Sequence, residues 1–420
     1  MTNRRPVDPV DAAWLRMDSA SNPMVITTVF RFAAELSDDS LKATFDRLLE
    51  HRRFRQRVVA DRTLTRAAWE DDPDFDLSLH VERVRLPAPG DDAALERFIG
   101  ERMSTPLARD RALWHIDVID GVGAGAALLV RVHHAVGDGV ALVRLLLGVS
   151  GAGKEGAPVE VGITPAGKPR TVRAFVDRTR AQAATLARLL TLPADVPTSL
   201  RGELGVRKVA AFSRPIPVDV IKSLARAAGG HVNDLLAAAV AGAVRDHLAD
   251  PRGVRALVPV FIRGDRGGAG NHFGLAYLPL PVDEPSRKAR LRAVKKEMDT
   301  IKSAPDATVA FVVLGAMGLA SPSLERFGIE LFTKKASMLI TNVPGPAATV
   351  RVADQDVTSI VVWAPTSGSI GLGFSLLTYA GELRLGVAAD AGLLPDPHAL
   401  VACFEREIDG MRAELGLAAN

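Results

Sequence analysis

With 420 residues, 47% of them hydrophobic and 24% charged, the chain is too apolar for a disordered segment and long enough for two domains of roughly 150 to 220 residues each. Its 52 basic and 49 acidic residues leave a formal charge of +3, which excludes the strong basic excess of a nucleic-acid-binding surface. The single cysteine, Cys403, excludes an intrachain disulfide and a multi-cysteine metal cluster, and is compatible with a reducing cytoplasm.

The polar start MTNRRPVDPVDAAWLRMDSA lacks an apolar core of signal-peptide length, so export is not expected. Residues 24–32, MVITTVFRF, are β-branched and aromatic and predict a strand; SDDSLKATFDRLLEHRRF follows with capping residues and helical spacing of Leu41, Phe45, Leu48 and Leu49. FDLSLHVERVRLP predicts a strand, and DDAALERFIGERMS a helix with acidic residues in its first turn. LWHIDVIDG and AALLVRVHH, joined by GVGAG, predict a hairpin, and DGVALVRLLLGVS a helix after it. Gly, Pro and charge concentrate in residues 151–170, which predict an interdomain linker; the segments are then 1–150, a linker and helix over 151–205, and 206–420.

TVRAFVDRTRAQAATLARLL predicts a helix with an apolar stripe and an arginine-rich face, either a solvated linker helix or a peripheral membrane-binding one. RKVAAFSRPIP predicts a strand, followed by helices VDVIKSLARAAGG and HVNDLLAAAVAGAVRDHL. Strands RALVPVFIR, AYLPLPV, SMLITNVPG, SIVVWAP, GLGFSLLTYAG and ELRLGVAAD complete the pattern with helices SRKARLRAVKKEMDTIKS and ATVAFVVLGAMGLA. The apolar run 309–320 is shorter than the roughly 20 residues a bilayer requires, so any membrane contact is expected to be peripheral.

The chemistry concentrates in RVHHAVGDGVA, residues 131–141. Alternation along a strand puts His133 with Arg131 and His134 with Val132, Val130 and Leu128, so the pair does not easily chelate one ion. A zinc site would need further spaced ligands that the neighbourhood does not supply. An acid/base reading needs one neutral imidazole, and His134 at the strand end is placed for it. Gly137 and Gly139 allow a tight turn, and Asp138 can cap the next helix and pair with an arginine. Two ordinary strand-end histidines and a helix cap remain the alternative for so short a signal.

HHAVGDG resembles the HHxxxDG motif of the superfamily of chloramphenicol acetyltransferase and peptide-synthesis condensation domains. More specifically, VDPVDAAWLRMDSASNPMVITTVFRF, ALWHIDVIDG, TSLRGELGVRKVAAF through VRDHL, GNHFGLAYLPLPV, TNVPGP and GLGFSLLTYAGELRLGVAAD resemble successive blocks of the bacterial wax ester synthase/diacylglycerol acyltransferase family. The resemblance runs over almost the full length. It implies an α/β (α+β) fold of two chloramphenicol acetyltransferase-like domains, each a mixed sheet with flanking helices, and an active-site tunnel between them.

The implied activity is transfer of an acyl group from acyl-CoA to diacylglycerol or a long-chain alcohol, releasing CoA, with no cofactor and no metal. His134 would be the general base, His133 would support the turn, Asp138 would hold the loop through an arginine for which Arg263 is a candidate, and Gly139 would admit the following helix. Asn271 is a candidate oxyanion donor, with a turn-forming Gly-Asn pair as its alternative; His272 reads as a turn residue. Asn233 and Asp234 read as helix-capping, and NVPGP as a rigid turn. Ser104, Ser213 and Ser375 lack a G-x-S-x-G context, which argues against a serine-hydrolase route.

Two departures, Ala112 where the family commonly has proline before Leu-Trp, and His231 where it has threonine before Val-Asn-Asp, bear on acceptor choice more than on fold. The linker is also short for the family, which would reduce a lipid-facing surface. The expected location is the cytoplasm, with attachment to the inner membrane or lipid droplets. Competing readings are an acyltransferase for a non-storage alcohol and a non-catalytic acyl-CoA or lipid binder.

Overall fold

The computed structural model describes residues 4–60, 67–137, 162–163, 172–262, 273–303 and 319–416, with 309, 310, 312, 313 and 315. In chain order the first half gives β1 (Arg5–Pro6), α1 (Pro9–Met17), β2 (Val25–Phe32), α2 (Asp38–Glu50), β3 (Gln56–Val59), β4 (Ala68–Asp71), β5 (Val81–Arg85), α3 (Asp92–Met103), β6 (Trp114–Val122) and β7 (Gly125–His133). There follow β8 (Gly162–Ile163), α4 (Val172–Thr191), β9 (Lys208–Phe212), β10 (Ile216–Pro217), α5 (Val218–Ala227), α6 (Val232–His247), β11 (Val254–Ile262), β12 (Phe273–Leu280) and α7 (Arg287–Ser303). The last elements are α8 (Pro322–Thr333), β13 (Met338–Pro344), β14 (Arg351–Val352), β15 (Gln355–Trp363), β16 (Leu372–Tyr379), β17 (Glu382–Asp390) and α9 (His398–Glu414).

The expected hairpin is β6 and β7, paired antiparallel from Trp114↔Val132 to Val122↔Gly125, with Gly123 at φ 59° in the turn, where a side chain would be strained. Every residue of β7 is buried, because helices cover both faces of its sheet. Leu41, Phe45 and Leu48 of α2 pack with Phe30, Val118 and Val130 on one face; Leu95 and Ile99 of α3 pack with Val29, Ile119 and Leu129 on the other. Period-2 alternation along β2 and β7 thus feeds two cores at once.

That first sheet has the order β14-β15-β2-β7-β6-β5. Its β15 comes from the second half and pairs antiparallel with β2 from Ser359↔Arg31 to Trp363↔Thr27. The second sheet runs β10-β17-β16-β13-β11-β12, with β9 on β17 and β8 on β11. Helix α6 is buried nearly all round, as its Leu-Leu-Ala-Ala-Ala-Val-Ala run requires, and packs with α9 and α7 against the second sheet.

Several expectations are corrected. The first element expected from sequence, the strand over 24–32, is not the first in the chain: β1 and α1 precede it, with Asp8 Oδ1 accepting the Val10 N–H at 3.0 Å as the cap of α1. Helices α8 and α9 were not expected either. The strand expected over residues 75–87 is only β5, preceded by a 3-10 turn at Leu77–Leu79, because Asp76 Oδ1 takes the Ser78 N–H and Oγ–H at 2.9 and 2.8 Å. The strand expected over 207–217 breaks between β9 and β10, where Pro215 has no N–H to give to a ladder. The helix expected at 138–150 and most of the linker lie outside the described residues.

Candidate functional site

β7 delivers the two histidines to a pinned corner. The His133 N–H donates to Leu113 O at 3.0 Å and the His134 N–H to Met24 O at 2.8 Å, so the segments leading into β6 and β2 fix both backbones. The turn closes with Val136 N–H to His133 O at 2.9 Å and Ala135 N–H to His133 Nδ1 at 3.0 Å. An Nδ1 that accepts cannot carry the ring hydrogen, so neutral His133 is the Nε2–H tautomer. Burial, with the nearby charge of Arg109 and then His134, pushes its pKa down to about 3. The His133 ring is therefore neutral, sealed and already committed to the turn.

The His134 ring goes elsewhere. It stacks on the Trp14 indole, with ring centroids 4.5 Å apart and an interplanar angle of 22°. Both side chains are buried, and Met24, Leu113 and Ala135 share the apolar cluster around Trp14. Helix α1 is itself tied down. Asp18 Oδ1 accepts the Met24 N–H at 2.7 Å, Arg109 pairs with Asp18, and Arg16 forms a buried ion pair with Glu325 of α8. Sequence reasoning assigned no role to Trp14; its only advance sign was one large aromatic in DAAWLRM after the Asp-Pro cap.

On the His133 face, Arg131 faces Thr27 and His115 across the ladder and donates Nη1–H to Arg102 O and Thr105 O at 2.7 and 3.0 Å. Beside it, ligand atoms of Glu82, His115 and Asp117 lie within 4.8 Å of one another, a spacing a metal ion could use. Arg102 already spans the two carboxylates, with Nε 2.8 Å from Asp117 and Nη2 2.7 Å from Glu82, and supplies the charge a cation would bring. A cavity of about 50 Å³ lies between this face and β17, with Asn22, Thr27, Arg131, Lys208, Thr366 and Asp390 in its lining. It has room for a water or two and not for an acyl chain.

Of the residues singled out by sequence, His133 and His134 are brought together and given different surroundings. Asp138, Gly139, Arg263, Asn271 and His272 lie outside the described residues. Asp234 Oδ2 takes the His231 N–H at 2.8 Å at the start of α6, and Asn233 Oδ1 accepts from Asn342 Nδ2 at 2.6 Å, which ties this helix to NVPGP. Ser213 Oγ receives the Leu385 N–H, Ser375 Oγ the Ala364 N–H, and Ser104 Oγ the Lys208 N–H, so all three serines serve the backbone.

Residues 7–171 match the wax ester synthase/diacylglycerol acyltransferase catalytic domain and residues 269–412 the WS/DGAT C-terminal domain, together about three quarters of the chain. A Mycobacterium tuberculosis protein named as a probable diacylglycerol O-acyltransferase is 27% identical over 453 aligned positions, covering 97% of this chain and 99% of that protein. Among solved structures, the wax ester synthase/diacylglycerol acyltransferase of Marinobacter aquaeolei VT8 superposes with a TM-score of 0.72 at 20% identity, covering 98% of this chain and all of that one. The first condensation domain of the calcium-dependent antibiotic synthetase gives 0.61 at 17% identity, over 99% and 97% of the two chains. The fold is thus the two-domain one that acyltransferases share with condensation domains. The chain belongs to the wax ester synthase/diacylglycerol acyltransferase family and is an O-acyltransferase.

Proposed function

We propose that the enzyme transfers a fatty acyl group from acyl-CoA to the hydroxyl of a diacylglycerol or a long-chain alcohol, giving triacylglycerol or wax ester, with His134 as general base. The observation that carries the assignment is the division of labour at the strand end. His133 Nδ1 is spent on the Ala135 N–H and its ring is buried neutral, whereas His134 is the ring offered to the other side, against Trp14. In this reading His134 takes the acceptor hydroxyl proton as that oxygen bonds to the thioester carbonyl carbon. The C–S bond then breaks, and the proton passes to the departing CoA sulfur.

In the same reading Asp138 and Gly139 are assigned to the turn, and Asn271 to donating a hydrogen bond to the carbonyl oxygen while it carries negative charge. The thioester arrives activated, so the step calls for no metal or redox cofactor. The names of the mycobacterial and Marinobacter proteins support the acceptor classes. The same reading places the enzyme in the cytoplasm, at the surface of the inner membrane or of lipid droplets.

The test is release of CoA thiol from palmitoyl-CoA with dioleoylglycerol or hexadecanol, with product identification by mass spectrometry. His134→Ala is expected to lower turnover by about 10² to 10⁴-fold while leaving the urea midpoint close to that of the wild type. Equal turnover in both proteins would remove His134 from the mechanism. Transfer only to short or polar alcohols would replace the proposed acceptor class, and binding of acyl-CoA without turnover for any acceptor would replace the activity.

A further inference from the structure

Among the described residues eight large apolar side chains are exposed, and six of them fall in helical positions at three places in the chain: Leu186 and Leu190 of α4, Val312 and Leu319 ahead of α8, and Leu324 and Phe327 of α8. Their exposure reaches 63% at Val312, 77% at Leu319, 61% at Leu324 and 65% at Phe327, and it is their grouping, not any one of them, that marks an interaction surface. Helix α8 is apolar on two faces. Glu325, Ile329 and Thr333 recur every four residues on its buried side, while Leu324 and Phe327, three apart, share a face toward solvent. On α4, Leu186 and Leu190 lie one turn apart on the exposed side, Thr185 and Leu189 on the buried one. The two helices touch. No helix among the described residues is long and apolar enough to cross a membrane.

From this arrangement we infer that α4, Val312, Leu319 and α8 form a face on which the enzyme lies against a phospholipid membrane bearing anionic headgroups. The charges exposed around the apolar row favour that occupant. Arg188 and Arg326 are positive, and Glu330, the acidic residue on the exposed side of α8, is paired with Lys334 at 3.3 Å. A basic rim around an apolar centre suits interfacial attachment, in which the apolar side chains enter the acyl boundary and the cations stay with the headgroups. Two-fold self-association through the same patch would set this positive rim against itself.

The face also has a short path to the reaction. Glu325, on the inner side of α8, holds Arg16 of α1, and two residues away on α1 Trp14 carries His134. An acceptor dissolved in the membrane would then arrive one helix away from the proposed base. This last point rests on the function proposed above; the docking face itself does not.

The experiment is co-flotation of the full chain with vesicles of phosphatidylcholine mixed with phosphatidylglycerol, compared with Leu324→Ser/Phe327→Ser and, separately, Leu319→Ser. Each variant is also assayed with water-soluble butyryl-CoA and hexanol, and its mass in solution is measured. Wild type is expected to float. The double variant should lose vesicle binding by about tenfold or more with soluble-substrate turnover and unfolding midpoint unchanged, and high salt should weaken the wild type. Wild-type protein that turns over soluble substrates yet stays off the vesicles would overturn the docking face and leave the enzymatic reading intact. Vesicle binding without turnover would do the reverse. A stable dimer that the double variant converts to monomer would also overturn it, by giving the patch to a second copy.

Discussion

The indole of Trp14 lies nearly flat on the imidazole of His134, with centroids 4.5 Å apart, and so a residue of α1 sets the orientation of a ring at the far end of β7. Stacked rings contribute about 0.5–1.5 kcal/mol beyond the area they bury, which corresponds to as much as about tenfold in rate if only one ring orientation is productive. Trp14→Leu is expected to lower kcat/KM by about tenfold, and Trp14→Phe to restore most of it. Steady-state CoA release on both variants checks this; equal loss in the two would separate Trp14 from ring positioning.

His133 predicts an acid sensitivity with a definite sign. Its folded pKa, about 3, lies below the ordinary value near 6.5, so between these limits the unfolded chain takes up a proton that the native protein refuses. The stabilisation is fully present above about pH 6.5 and is lost as pH falls toward about 3, at up to about 1.4 kcal/mol per pH unit. Asn at this position keeps an oxygen acceptor for the Ala135 N–H and does not titrate. His133→Asn should therefore flatten the decline of the urea midpoint with acid while keeping most of the activity.

The pair between α1 and α8 should behave as a buried ion pair does. Burial pushes the Glu325 carboxyl up to about 7, against the opposing pull of Arg16. Arg16→Met leaves that carboxyl uncompensated, with an expected loss of about 3–5 kcal/mol, whereas Arg16→Met/Glu325→Leu should recover much of it. A raised carboxyl pKa gives a contribution that is full below about 4.5 and lost as pH rises through about 7. The single variant should accordingly unfold at lower urea near pH 8 than near pH 6, and the double variant should show less of this difference.

Where the two sheets meet, Gly386 of β17 has no room for a side chain. A Cβ there would sit 2.6 Å from Val362 O and 2.9 Å from Trp363 Nε1 of β15. Gly386→Ala is expected to cost about 1–3 kcal/mol through overpacking, read as a lower urea midpoint. An unchanged midpoint would mean that the sheets can part at little cost.

Much of this fold is written locally. β7, β17 and α6 are long, strongly patterned segments, and the runs expected from sequence fall within one residue of their observed bounds. What local pattern could not give is partnership. Nine-residue α1 buries Val10, Ala12, Ala13, Trp14 and Leu15, too many sides for a single apolar stripe, and SPSLERFGIELF carries apolar residues on both faces of α8, so neither reads as an ordinary surface helix. The site divides in the same way. Alternation along β7 sets His133 and His134 apart, but the Ala135 N–H on Nδ1 and the Trp14 ring on His134 arise only after the strands pair.

The insertion of β15 beside β2 also has a consequence for how the molecule is made. During synthesis the β2 edge emerges early, and its permanent neighbour is still hundreds of residues from the exit tunnel. Until then the hydrogen-bonding edge of β2 stands open next to an apolar sheet, a template for the wrong strand. Such long-range pairing makes folding slow and the waiting intermediate prone to aggregate. Expression of the first half alone should therefore give insoluble material, and supplying the second half as a separate chain during refolding should rescue it, because the missing strand can be delivered in trans.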